Sequence, residues 1–274
     1  MSIFTQRITA RAALLVALLL GATPALAQVA PQVINIPLSR PGEPISLEMG
    51  IISAHIEIIG EDRDDASFEV TVANSGRKIV TPSGTKELAN AGYSLEVDEE
   101  DNEISFDTDW RNNHVKVVAR IPKRADLDIS THNDGVIIVR DITGNLELSN
   151  TNGPITASGI SGSVIAESVN DTIDLGFVAI DDVNPSSLES INGNLNLRLP
   201  ASAGAQVHLD TSRGEIISDF EVEVLPSTPR VERNEDHGGV EVRVESVIIA
   251  NINGGGPVFR MKTMNGNINI LKAK

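Results

Sequence analysis

Histidine, carboxylate and hydroxyl side chains are the groups that could do acid–base, metal or nucleophilic chemistry near neutral pH. The chain has five histidines: His55, His114, His132, His208 and His237. No two share a metal-ligand spacing, and His-Glu-x-x-His is absent. Each reads as a surface or strand residue. Acidic side chains cluster at 61–65 and at 98–101. Neither cluster has the Asp-x-Asp-x-Asp-Gly loop or the closing Glu of a calcium loop, so both read as solvated turns. No Gly-x-Ser-x-Gly elbow offers a hydrolase nucleophile. Cysteine is absent, which excludes disulfides, thiolate nucleophiles and thiolate metal sites together. The expectation is a protein with no catalytic residues, no metal and no cofactor.

The residues that recur at a fixed spacing are asparagine and glycine. The unit reads apolar, x, apolar, x, Ser/Thr/Asn, x, Asn, Gly, x, Ile/Leu. Leu146-Glu-Leu148-Ser-Asn150-Thr-Asn152-Gly153-Pro-Ile155 is one copy. Others turn at Asn133 and Gly135, Asn170, Asn192 and Gly193, Gly214, Asn253 and Gly254, and Asn265 and Gly266. Aspartate replaces the glycine at Asp171, and Arg213 replaces an asparagine. Positions 135, 144, 153, 162 and 171 are nine apart, and all but Asp171 are glycine. Calcium-binding β-rolls also use a nine-residue period, but their Gly-Gly-x-Gly-x-Asp unit is absent.

Elements must hold these turns in place. Apolar residues alternate on both sides of each turn, the period of a strand with one buried face. Two short strands in about 20 residues predict an all-β chain of stacked strand repeats. The expected form is a single-domain β-solenoid, β-helix-like, with an antiparallel meander or sandwich as the alternative, because Asn-Gly also closes hairpins. Asn-Gly tolerates positive φ and turns the chain tightly. Stacking would put Leu146, Val164 and Val207 in one apolar file. Ile137, Ile155, Ile173, Leu195, Ile216 and Ile268 would form another. Aromatic residues are 3% of the chain, so aliphatic stacking must supply the core.

The flanking segments carry other signals. Arg7 and Arg11, the apolar run Ala12 to Gly21, and Ala25-Leu26-Ala27 have the layout of a secretory signal peptide over 1–27. The run of about ten residues is shorter than the roughly 20 that span a bilayer. No later stretch is long and apolar enough for a transmembrane segment in the mature chain. Residues 28–125 read as irregular β rungs and 126–274 as the regular repeat, with a loop insertion at about 226–239. Segment 75–92 reads as a further loop. The mature part holds 38 acidic residues against 20 basic ones once Arg7 and Arg11 are set aside, a balance of −18. Such a surface repels polyanions and argues against nucleic acid as a partner.

These units, with Val118-Ala-Arg-Ile-Pro122 leading into Leu127-Asp-Ile129-Ser-Thr131 and the Gly254-Gly255-Gly256 turn, resemble a bacterial family. It is described as a putative-adhesin, or β-strand-repeat-containing, family of unknown function. The resemblance spans most of residues 45 to 273 and departs at Asp171 and Arg213. It implies an exported β-repeat protein and carries over no catalytic residues.

The expected function is therefore a non-catalytic exported cell-envelope protein. It would be an adhesin-like binding or surface-presentation module, in the periplasm or at the cell surface. The partner would be an envelope protein or glycan. A polysaccharide-acting β-helix enzyme and a scaffold that self-associates through its β edges are the other readings. The repeated residues build the stack, so function must lie in positions that vary between copies.

Overall fold

The computed structural model describes residues 31–73, 95–108, 114–180, 184–226, 230–234, 241–245 and 247–273. The stretch expected as an export segment, 1–27, and that expected as a loop, 75–92, lie outside the described residues.

All described elements are strands. Ahead of the regular repeat come β1 (Gln32–Pro37), β2 (Ile45–Ile51), β3 (Ala54–Glu61), β4 (Asp65–Ala73), β5 (Leu95–Glu100), β6 (Glu103–Thr108) and β7 (His114–Pro122). The repeat supplies β8 (Ala125–Thr131), β9 (Val136–Arg140), β10 (Leu146–Asn152), β11 (Ile155–Gly162), β12 (Val164–Asn170), β13 (Ile173–Ile180), β14 (Ser186–Asn192) and β15 (Leu195–Leu199). The chain continues through β16 (Ala205–Arg213), β17 (Ile216–Ser218), β18 (Val222–Leu225) and β19 (Arg230–Asn234). It ends with β20 (Glu241–Glu245), β21 (Ile248–Ile252), β22 (Val258–Asn265) and β23 (Ile268–Lys272).

Two large mixed sheets result. Sheet I has ten strands in the order β1-β4-β7-β3-β9-β11-β13-β15-β23-β17. Sheet II has eleven, in the order β18-β21-β16-β22-β14-β12-β10-β8-β2-β6-β5. Alternation explains the layering. Leu47, Met49 and Ile51 of β2 are buried while the residues between them are exposed. The apolar faces of both sheets meet in one continuous core.

The Asn-Gly units stack in parallel. β10 pairs in parallel with β8 and β12, and β11 with β9 and β13. Each Asn-Gly turn of these stacked units joins a strand of sheet II to one of sheet I, so its two strands pair with other units and not with each other. It is an arch, and the hairpin arrangement does not apply in the central units. Antiparallel pairing gathers at the ends, in β1–β4–β7, β5–β6 and β16–β21–β18. β2 and β3 follow the parallel pattern, pairing with β8 and β9.

Both expected files form, with Leu146, Val164 and Val207 at one register of sheet II, and one expectation needs correction. The aliphatic file of sheet I holds all six expected residues in register, but not in chain order. Leu195 pairs with Ile268, and Ile268 with Ile216. The last unit, β22–β23, inserts between β14–β15 and β16–β17. Val207 therefore does not follow Val164; Ser186 and Phe259 stand between them. The large Phe259 beside the small Ser186 meets Phe177 of the opposite sheet edge-on, with centroids 5.4 Å apart. The correction concerns the copy ending at Asn253 and Gly254. It runs antiparallel to β16 as β21. Asn253 and Gly254 have φ of 48° and 87°, and Gly255 continues at 90°, which reverses the chain within sheet II. Around 226–239, β19 lies within the stretch expected as a loop and pairs antiparallel with β20.

Close approach, more than positive φ, demands glycine at the arches. A Cβ on Gly193, Gly266 or Gly214 would strike the carbonyl oxygen of Asp171, Gly193 or Gly266 in the unit alongside, well inside the 3.0 Å that Cβ atoms keep. A Cβ on Gly144 or Gly162 would do the same at the opposite corner. The nine-residue glycine period therefore alternates between two corners. The Ser/Thr/Asn position also serves the arches. Thr263 Oγ1 donates to Gly193 O at 3.0 Å, Thr211 Oγ1 to Gly266 O at 2.9 Å, and Asn150 Nδ2 to Gly135 O at 2.9 Å. Thr131 Oγ1 and Ser168 Oγ, buried in the same file, have no partner.

Gly193→Ala is expected to cost at least about 2 kcal/mol, the range of a backbone clash that cannot relax. Gly176→Ala, whose Cβ would meet nothing closer than 3.7 Å, should cost under about 1 kcal/mol. Denaturant midpoints compare the two; equal losses would remove close approach as the constraint.

Candidate functional site

The outer face of sheet II carries the side chains that the stack does not consume. Parallel register sets them in rows across the strands. Ser149, Glu167, Glu189, Lys262 and Asp210 form one row, on β10, β12, β14, β22 and β16. One step nearer the arches, Val169, Ile191 and Met264 form an apolar row, 36%, 45% and 47% exposed. A groove of about 850 Å³ follows these two rows over the same five strands. No aromatic side chain lines it.

An asparagine ladder edges the groove at the arches. Asn170 Nδ2 donates to Asn152 Oδ1 at 2.8 Å, Asn192 to Asn170 at 2.9 Å, and Asn265 to Asn192 at 2.8 Å. Asn152 donates in turn to His132 O at 3.1 Å. Side chains that bond each other in this way are turned along the stack. The expected turn residues Asn152, Gly153, Asn170, Asn192, Gly193, Gly214, Asn265 and Gly266 thus share one corner with Gly135. Asn133 sits in the same turn as Gly135, where its backbone N–H donates to Ile52 O at 2.7 Å. Asn253 and Gly254 are elsewhere, in the β21–β22 reversal, where Asn253 Nδ2 holds Ala201 O and Ala203 O at 3.1 and 2.9 Å.

The electrostatics of the outer face are one-sided. Lys262 Nζ lies 3.7 Å from Asp210. Glu167 and Glu189 stand side by side on adjacent strands. In the next row Glu48, Asp128 and Glu147 do the same on β2, β8 and β10. Farther along, His208 is held below its ordinary value of 6.5 by burial and by Arg260. Its Nε2 is 3.0 Å from Gln206 Oε1.

The chemistry-bearing clusters of the sequence are engaged locally. In the 61–65 cluster, Arg63 pairs with Asp65 at 2.9 Å and Glu61 at 3.4 Å, and Lys123 with Asp62 at 3.0 Å. In the 98–101 cluster, Glu99 accepts the Ser39 N–H and hydroxyl and the Asn102 N–H, each at 2.9 Å. These bonds, that from the Ser39 N–H first, hold its carboxyl below the usual range. Among the described residues, no group of His, Asp and Glu is arranged to hold a metal. No helix of the described residues is long and apolar enough to cross a membrane. His237 and two Ser-x-x-Lys spacings, Ser75–Lys78 and Ser83–Lys86, lie outside the described residues. Sequence reasoning missed the groove because its outward-facing residues occupy the x positions of the unit. The one available signal was that 169, 191 and 264 remain apolar there.

Asn192→Ala removes two ladder bonds and should cost about 1 kcal/mol, since exposed bonds contribute at the low end. Because the folded pKa of His208 is lowered, the unfolded state binds its proton more readily. Stability should therefore fall as pH drops from about 7 toward 5.5. His208→Gln should shrink that loss in thermal scans; an unchanged slope would contradict it.

No protein-family model matches the chain, and no curated protein sequence matches it. Among the solved structures similar in form are two from bacteria. One is a putative cell adhesion protein from Clostridium sporogenes ATCC 15579, 11% identical with a TM-score of 0.45, covering 89% of this chain and 100% of that one. The other is a putative adhesin from Bacteroides fragilis NCTC 9343, 10% identical with a TM-score of 0.40, covering 89% and 97%. At these scores neither bears on what this chain binds.

Proposed function

We propose that this is a non-catalytic, exported cell-envelope module of adhesin-like type that holds a partner on the outer face of sheet II. The observation that carries the proposal is the groove itself. Its outward-facing lining, from Ser149, Glu167, Glu189, Lys262 and Asp210 to Val169, Ile191 and Met264, varies between units, while the Ser/Thr/Asn positions between them serve the arches. The export layout of residues 1–27 supports action in the periplasm or at the surface. In this reading residues 28–125 begin the stack and 126–274 continue it.

The competing readings fit the same surface less well. Sugar-acting grooves use aromatic platforms for the rings, and none lines this one. Self-association needs a long, open, uncharged edge. Of the four edges of sheets I and II, β17 has three residues, β18 four, and β5 carries Glu96, Asp98, Glu99 and Glu100, while β1 is uncharged over six residues and is closed by Pro37, which has no N–H to offer a further strand.

The test uses the processed full-length protein immobilised against envelope fractions. Retention of a component should fall at least tenfold in Ile191→Asp, which sets a charge in the apolar row, with thermal stability kept. Undiminished retention would overturn the assignment of this face. New reducing ends from envelope glycans would overturn the non-catalytic reading.

A further inference from the structure

We infer that the sheet II groove takes an extended polypeptide segment of the partner, one that carries lysine or arginine beside aliphatic side chains. This rests on the proposal that the face is the binding surface, and it adds the chemistry of the occupant.

Charge complementarity comes first. Parallel strands lie about 4.8 Å apart, so carboxylates at the same register on neighbouring strands face each other at close range. Like charges placed directly across a sheet oppose folding. The outer face of sheet II does this twice, with Glu167 beside Glu189 and with Glu48, Asp128 and Glu147 in sequence. Its basic side chains in these two rows are Arg260 and Lys262, and Lys262 already faces Asp210. A cationic segment laid across the strands would relieve that repulsion.

The apolar row sets the second requirement. Val169, Ile191 and Met264 run beside Glu167, Glu189 and Lys262 and remain solvent-exposed, with Thr151 and Ser212 at the two ends. A ligand matched to both rows needs aliphatic groups displaced sideways from its cations. An extended chain supplies this, because successive side chains point to opposite sides. The five strands from β16 to β10 span about 19 Å, the length of about six extended residues. Other occupants lack the match. A nucleic acid or a second copy of this chain, with net charge −16, would be repelled. A glycan would find no aromatic platform.

The probes are blocked octapeptides of alternating lysine and leucine and of alternating glutamate and leucine, with octalysine as the charge-only control. Binding to the processed full-length protein is read by fluorescence anisotropy at two salt concentrations. The lysine–leucine peptide should bind at least tenfold more tightly than the glutamate–leucine peptide. The double variant Glu167→Gln/Glu189→Gln should weaken it about tenfold and flatten its salt dependence, with no loss of thermal stability because repulsion is removed. Met264→Ser should weaken the lysine–leucine peptide and leave octalysine unchanged. Equal binding of the two leucine peptides, or an affinity that the double variant does not change, would overturn the inference. Stoichiometric displacement of the peptide by calcium alone would overturn it in favour of a metal site. If Ile191→Asp still abolishes envelope retention while no cationic peptide binds, this inference fails and the binding face stands. If Ile191→Asp leaves retention intact, the face itself is wrong.

Discussion

Backbone packed against backbone at the arches is the constraint from which the rest follows. Gly193, Gly214 and Gly266 each bring their Cα against a carbonyl of the unit alongside, in a space that no side chain can share. The parallel ladder therefore runs through the turns. Ile155 N–H donates to Thr172 O at 3.1 Å and Ile173 N–H to Asn194 O at 3.0 Å, continuing the bonds of the strands beyond. With the corner locked, alternation has one solution. Aliphatic residues file inward, and hydroxyl and amide side chains cap the arch carbonyls from within.

That division of labour leaves the outer face of sheet II free. Residues such as Glu167, Glu189, Val169 and Met264 contribute little to the core, so their identities are open to selection by a partner. The repulsion between neighbouring carboxylates is tolerable because the stack is held by interactions on its other side. In the proposed reading, stability and binding thus reside on opposite faces of the same strands.

Much of this architecture was legible in the residues. Period-two alternation marked the strands, and Asn-Gly marked where units come into register, which is why Ile137, Ile155 and Ile173 align as expected. What was hidden had physical causes. Repeat spacing does not specify which units are spatial neighbours, so the insertion of β22–β23 ahead of β16–β17 left no trace in it. Asn253-Gly254 spells the arch dipeptide, yet the glycines that follow let it reverse the chain instead. The groove was hidden most fully, because Val169, Ile191 and Met264 form a row only once parallel register brings three distant segments side by side.

The most direct measurement is amide hydrogen exchange at the arches. If the ladder runs unbroken through them, the Gly153, Asp171 and Ile173 N–H groups, which donate to Asn170, Asn192 and Asn194 carbonyls at 2.9–3.0 Å, will exchange as slowly as those of the flanking strands. Rapid exchange confined to these residues, as in a solvated hairpin loop, would contradict the locked corner on which the free outer face depends.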